Sequence, residues 1–181
     1  MKLIERKYAL YCAGLMAVLS VWLITGIGEV SGFSLVSTML LLILSYVAMV
    51  FDINTKRIPN KLVSIMIAGW LLLMVTVVLY NAENALGLLT DSMSGFLTGG
   101  GLFLLVYFIS RKGLGGGDVK FMAAAGLYLG FAGTIPAILY GTVLAALTGL
   151  ILICLRKIGR KDTMPLVPFL FIGIVITVFT K

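Results

Sequence analysis

The chain holds seven acidic side chains and no His. Two of the seven, Asp52 and Asp118, stand where an acid is least expected. Asp52 follows directly on the apolar run that ends at Phe51, and Asp118 follows Gly115-Gly116-Gly117 at the start of another apolar stretch. Ionisable residues at membrane depth are costly and raise a functional question by default. Two carboxylates in one place are the minimum apparatus for hydrolysis by activated water. One accepts the water proton while the other, protonated, polarises the carbonyl. Like charges close together allow the pair to share one proton, so the two titrate as a unit. Each also has a plainer reading: Asp118 as the cap of the helix that follows it, Asp52 as the point where a helix leaves the membrane.

The other five acids have mundane settings. Glu5 lies in the N-terminal tail, Glu29 and Glu83 in loops, and Asp162 in a basic loop, all open to solvent. Asp91 lies about one turn into an apolar segment, which suits an interfacial or helix-packing role. Without His, a Ser-His pair, a His base and a His metal ligand are excluded. Cys12 and Cys154 sit inside apolar runs and form no CxxC pair, so both read as packing residues. No disulfide framework, zinc site or cofactor is expected.

The elements that must hold these acids are apolar. Of 181 residues, 61% are hydrophobic and 12% charged, and the mean hydropathy is +1.14. Soluble domains run at about 45–50% apolar and about 25% charged. A soluble enzyme, a disordered tail and a nucleic-acid binder are therefore excluded, and the lipid bilayer is the expected surrounding. A spanning helix needs about 20 apolar residues. Six stretches qualify, at 8–28, 33–51, 62–80, 86–110, 136–155 and 165–179, with a shorter one at 119–131. The expected fold is an all-α, polytopic membrane helix bundle, with six long transmembrane helices and one short helix after the Gly-rich motif. Residues 1–181 read as a single domain without internal repeats. Pro136 suits the first turn of the sixth long helix.

Basic residues set the orientation. Lys2, Arg6 and Lys7 precede the first stretch, and Lys56, Arg57 and Lys61 lie between the second and third. Arg111, Lys112 and Lys120 precede or open the short stretch, and Arg156, Lys157, Arg160 and Lys161 precede the last. Only Lys181 of the 14 basic residues falls on the other side. The positive-inside rule then places the N-terminus and both aspartates at the cytosolic face of the inner membrane, and the C-terminus outside. The alternation requires the short stretch to cross. Met1–Lys7 resembles a signal n-region, but no small-residue cleavage site follows, so the first helix is expected to be retained. Gly95 and Gly99, and Gly126 and Gly130, each form a GxxxG spacing. Such pairs let membrane helices pack closely, and they also permit a homo-oligomer.

The neighbourhoods of the two aspartates carry a family resemblance. Asp52-Ile53-Asn54-Thr55-Lys56-Arg57-Ile58-Pro59-Asn60 is an Asp, a short basic stretch, then Ile-Pro-Asn; Gly115-Gly116-Gly117-Asp118-Val119-Lys120 is a GxGD motif followed by Val-Lys. In this order they resemble the prepilin peptidases, a family of GxGD intramembrane aspartic proteases. The resemblance runs from about Tyr46 to the C-terminus. Pro165-Leu166-Val167-Pro168-Phe169 also looks like the family's Pro-Phe-Gly-Pro-Phe stretch, with Leu166 and Val167 departing from it.

The resemblance implies Asp52 and Asp118 as the catalytic pair, with no metal. It implies a type IV prepilin-like substrate with a short basic leader ahead of an apolar helix, cut on the cytosolic side. Relatives that also methylate the new N-terminus carry an insertion with paired CxxC motifs. Their absence here points to peptidase activity alone, most like the tight-adherence (Flp-type) pilus peptidases, with compact archaeal preflagellin peptidases as an alternative. Around the pair, Gly115 and Gly117 suit tight backbone geometry and close approach of a substrate strand. Helix N–H groups at Asp118 would favour it as the more easily ionised partner, although Asp52 beside it can reverse this. Pro59 and Asn60 suit a helix entry with Asn60 as its cap. Lys120 suits either steering of an acidic substrate residue or a topology charge. Pro168 belongs to the substrate-proximal stretch. Buried acids also serve as ion or proton sites, so a small transporter or channel component is the competing class. Inverted repeats and broken central helices would favour it, and the sequence displays neither.

Overall fold

The computed structural model describes residues 14–16, 20, 32–80, 82–110, 114–157, 159 and 164–180. Most of the first apolar stretch, at 8–28, lies outside the described residues. The described elements are helices: α1 (Gly32–Thr55), α2 (Asn60–Tyr80), α3 (Ala82–Ile109), α4 (Gly116–Cys154) and α5 (Val167–Thr180). No strand occurs among the described residues. Four helices, over 33–55, 60–80, 82–109 and 116–154, are long and apolar enough to cross a membrane; α5 is a shorter apolar helix. Large aliphatic side chains stay exposed on their outer faces, among them Leu72 (70%), Leu79 (73%) and Leu97 (69%). In lipid such faces cost nothing, because the surrounding tails are as apolar as Leu.

The sequence predicts two helices over 119–131 and 136–155. The structure gives two helical arms, over 116–129 and 131–154 and together labelled α4, with the break at Gly130, φ 67° and ψ −177°, rather than after Phe131. The interruption is a reversal. A Cβ placed on Gly99 would lie 2.5 Å from the Met122 carbonyl oxygen and 3.3 Å from Thr134 Cγ2. On one straight helix those two residues would be about 18 Å apart. Both reach Gly99, so the arm over 131–154 folds back along the arm over 116–129. The second arm thus begins at Phe131, and Pro136 lies inside it rather than in its first turn.

Small residues make this packing possible. A Cβ on Gly95 would run into the Gly126 carbonyl oxygen and lie 2.7 Å from the Gly130 carbonyl carbon. The two GxxxG pairs meet each other within the chain. Further along, a Cβ on Gly141 would lie 2.9 Å from Leu170 Cα, and one on Gly173 would lie 2.7 Å from the Gly141 nitrogen. The returning arm of α4 therefore lies tightly against α5.

The core joins α1, α2, both arms of α4 and α5 through Leu42, Met66, Phe121, Met122, Ala137 and Leu170. Polar contacts within it are few but directed. The Tyr128 hydroxyl donates to the Met66 carbonyl at 2.5 Å, and Trp70 Nε1–H donates to Ser92 Oγ at 3.3 Å. Tyr46 and Phe171 meet edge to face, with ring centroids 5.6 Å apart, and tie α1 to α5.

Candidate active site

Asp52 sits in the last turn of α1. The helix closes with the Lys56 N–H donating to the Asp52 carbonyl at 2.8 Å, and Lys56 itself adopts the left-handed conformation, φ 50°. Pro59 then bars helical geometry at Ile58, so the turn to α2 is short. The Leu62 N–H donates to the Pro59 carbonyl at 3.0 Å, which makes Pro59 the residue that opens α2. Asn60 is not the cap the sequence suggests. Its Oδ1 accepts from Lys120 Nζ at 3.0 Å and ties the start of α2 to the helix of Asp118.

Asp118 occupies the first turn of α4. Its carboxylate reaches back to the Gly115 N–H at 3.2 Å. Gly115 has φ −72° and ψ 135°, a conformation open to any residue. The tight backbone geometry expected of the glycines is therefore absent there; what matters is room. A Cβ on Gly115 would lie 2.9 Å from Asp118 Oδ2, and one on Gly117 would lie 3.2 Å from Ile58 Cβ. Close approach is real at both positions, and it brings the α1–α2 turn onto the start of α4.

The result is one cleft of about 250 Å³, lined by Asp52, Lys56, Arg57, Ile58, Asn60, Gly115, Gly116, Gly117 and Asp118. Asp118 feels the charge of Asp52, and Lys56 lies close enough to attract Asp52. Asp52 is 5% exposed. Its Oδ2 accepts the Val167 N–H at 3.0 Å, so the first turn of α5 serves this carboxylate. The α5 turn itself closes through the Phe169 N–H on the Leu166 carbonyl at 3.1 Å. Pro168 sits in that first turn, where its missing N–H is not needed. The contact to Asp52 runs through the main chain, which is why Leu166 and Val167 keep it despite their departure from the Pro-Phe-Gly-Pro-Phe pattern. Sequence reading missed Val167 for the same reason: its side chain is buried and inert, and Pro168 beside it is the one outward signal.

A larger hollow of about 670 Å³, lined by Phe33, Thr76, Val77, Tyr80, Asn84, Gly87 and Leu88, contains no acid. Among the described residues, no group of three or more His, Cys, Asp or Glu side chains comes together to hold a metal. The cleft therefore offers a paired-carboxylate arrangement and a rim of cations. The Lys120–Asn60 bond has a charged donor but is exposed, and solvent reduces it to about the 0.5–1.5 kcal/mol of an ordinary hydrogen bond. Asn60→Ala and Lys120→Met are each expected to slow any reaction at the cleft by about 2- to 10-fold. The double variant should be no slower than the worse single one, as a double-mutant cycle on initial rates would register.

Comparison with known proteins bears on this region. Residues 39–150 match the type IV leader peptidase family. The chain is 31% identical over 125 residues to the prepilin leader peptidase/N-methyltransferase of Escherichia coli (strain K12), an alignment that covers 66% of this chain and 51% of the relative. The chain thus spans about half the length of that curated relative. Among solved structures, none matches the chain. Well over half of the chain, with both aspartates and the cleft between them, lies inside the family match, and the chain belongs to the type IV leader peptidase family.

Proposed function

We propose that this chain is an intramembrane aspartic endopeptidase that removes the short basic leader of type IV prepilin-like precursors, of the Flp type. The observation that carries the reading is the meeting of Asp52 and Asp118, remote in sequence, in one cleft. Residues 1–181 act as one domain in this reading. In this reading the scissile segment enters the cleft between the α1–α2 turn and the start of α4 at Gly115–Gly117.

The reaction follows from the pair. One carboxylate takes a proton from water, and the oxygen attacks the scissile carbonyl carbon. The other, protonated, gives its proton to the carbonyl oxygen, which becomes a hydroxyl. The tetrahedral intermediate then collapses. The C–N bond breaks, the nitrogen takes the proton held by the first carboxylate, and the second recovers its own. The products are a leader with a free carboxylate and a mature chain with a free amine. No covalent intermediate and no metal is required. The relative's name also includes an N-methyltransferase. The proposal for this chain covers hydrolysis alone, because Cys12 and Cys154 cannot supply the paired CxxC motifs of methylating relatives.

The test is direct. The purified full chain, in lipid nanodiscs, is mixed with a panel of precursors that carry a basic leader and an apolar helix, and the product N-termini are sequenced. Cleavage immediately before the apolar helix of an Flp-type precursor is expected. An intact panel would overturn the peptidase reading.

The arrangement of six long spans and a short seventh crossing, with the cleft at the cytosolic face, belongs to the same proposal. It is supported by the basic residues Lys56, Arg57, Lys61 and Lys120 at the end of the molecule where the two aspartates lie, and by the reversal of α4 at Gly130. A reporter fused after Lys181 is expected to give an external signal. A cytosolic signal there would rule the arrangement out.

A further inference from the structure

The mechanism leaves one acid unused. Asp91 lies on an exposed face of α3, about two turns from its start. Its Oδ1 accepts the Phe131 N–H at 3.0 Å. A Cβ on Gly130 would run into the same carboxylate, so Asp91 sits directly on the reversal. Phe131 is the first residue of the returning arm, and its N–H has no partner within that arm. Asp91 therefore caps, from a different helix, the arm that begins at Gly130. The contact fixes the top of the arm over 116–129, which carries Asp118 at its lower end, about 18 Å away along the helix axis. Gly95 and Gly99, on the same helix as Asp91, hold the middle of that arm by backbone contact with Gly126 and Met122.

We propose that Asp91 is a positioning residue for the reaction: by holding the Gly130 reversal, it sets the height and tilt of the short arm that presents Asp118 to Asp52. This rests on the peptidase reading above. An acceptor is what the Phe131 N–H requires, and Asn supplies one at the same position while Ala does not.

The experiment compares Asp91→Ala and Asp91→Asn with the parent chain, all purified as monodisperse full-length protein in nanodiscs. In kinetics on a cleavable Flp-type precursor, Asp91→Ala is expected to lower kcat by tenfold or more, to leave KM within twofold and to displace the pH–rate profile. Asp91→Asn is expected to recover kcat to within threefold. A merely structural role would lower yield and melting temperature but leave kcat and the pH profile of the surviving molecules at parental values; that result overturns the proposal. So does an Asn variant as slow as the Ala variant.

A second measurement does not depend on activity. Spin labels at Lys120→Cys and Leu139→Cys, with Cys12 and Cys154 replaced by Ser, report the spacing of the two arms. The parent and Asp91→Asn should give one narrow, short distance. Asp91→Ala should broaden it toward the roughly 29 Å of an unfolded hinge. An unchanged distribution in Asp91→Ala overturns the proposal even if the parent chain cleaves nothing, in which case the peptidase reading fails separately.

Discussion

Asp52→Asn and Asp118→Asn should each abolish precursor cleavage while leaving the chain inserted and folded. Acid–base participation by one positioned side chain contributes about 10²–10⁴-fold. A pair that acts as a unit loses nearly everything when either member goes, and a loss of at least about a thousandfold is expected for each variant. The double variant should be no worse than the single ones, because neither carboxylate works without the other. Asn is the informative replacement. Its Oδ1 can still accept the Val167 N–H at position 52 and the Gly115 N–H at position 118, so the contacts that shape the cleft survive. What disappears is the capacity to take up and return a proton. The measurement is the initial rate on one precursor, normalised to protein that elutes as a single species and melts within a few degrees of the parent. Full processing by either variant would sink the paired-carboxylate mechanism.

That pair was legible because the chain is so poor in charge. In an apolar sequence, an acid immediately after a long hydrophobic run is conspicuous, and Asp52 and Asp118 are flanked by patterned neighbours. What could not be read was any contact made through the main chain. Val167 donates its N–H to Asp52, yet nothing in a Val side chain announces this. Asn60 looked like a helix cap on its type and place, but tertiary structure offered Lys120 as a partner and Pro59 had already opened the helix. The reversal in α4 was half visible. The apolar segmentation called for a short crossing stretch, and the basic residues required it to turn. The apolar pattern runs on to Phe131, and Pro136 suits a first turn, whereas the chain turns at Gly130, where φ is positive and no side chain obstructs Asp91. A glycine inside an apolar run carries no local sign of which neighbour it will meet.

The glycines supply the second large effect. Gly95→Leu should prevent the α3–α4 packing, with the melting transition lost or lowered by more than 10 °C and cleavage falling with it. Lipid gives helices no hydrophobic reason to associate, so close backbone packing must do so. Overpacking a core costs about 1–3 kcal/mol when flexible side chains can move aside. Here the added Cβ meets the Gly126 carbonyl oxygen and the Gly130 carbonyl carbon, which are main chain and cannot yield without shifting a whole helix arm. The cost should therefore reach or exceed the top of that range. Gly95→Ala already adds the offending atom and should be distinctly destabilising. Gly101 lies on the same helix but has nothing within 4 Å of a Cβ. Gly101→Ala is expected to be neutral or to stabilise by up to about 1 kcal/mol, since Ala outranks Gly in a helix interior. The pair of Ala variants separates a loss caused by contact from one caused by composition, because both make the same chemical change on one helix. If Gly95→Ala and Gly101→Ala melt alike, the seam does not hold the short arm. The placement of Asp118 opposite Asp52 would then have to come from its lower end alone, through Gly117 on Ile58 and Lys120 on Asn60.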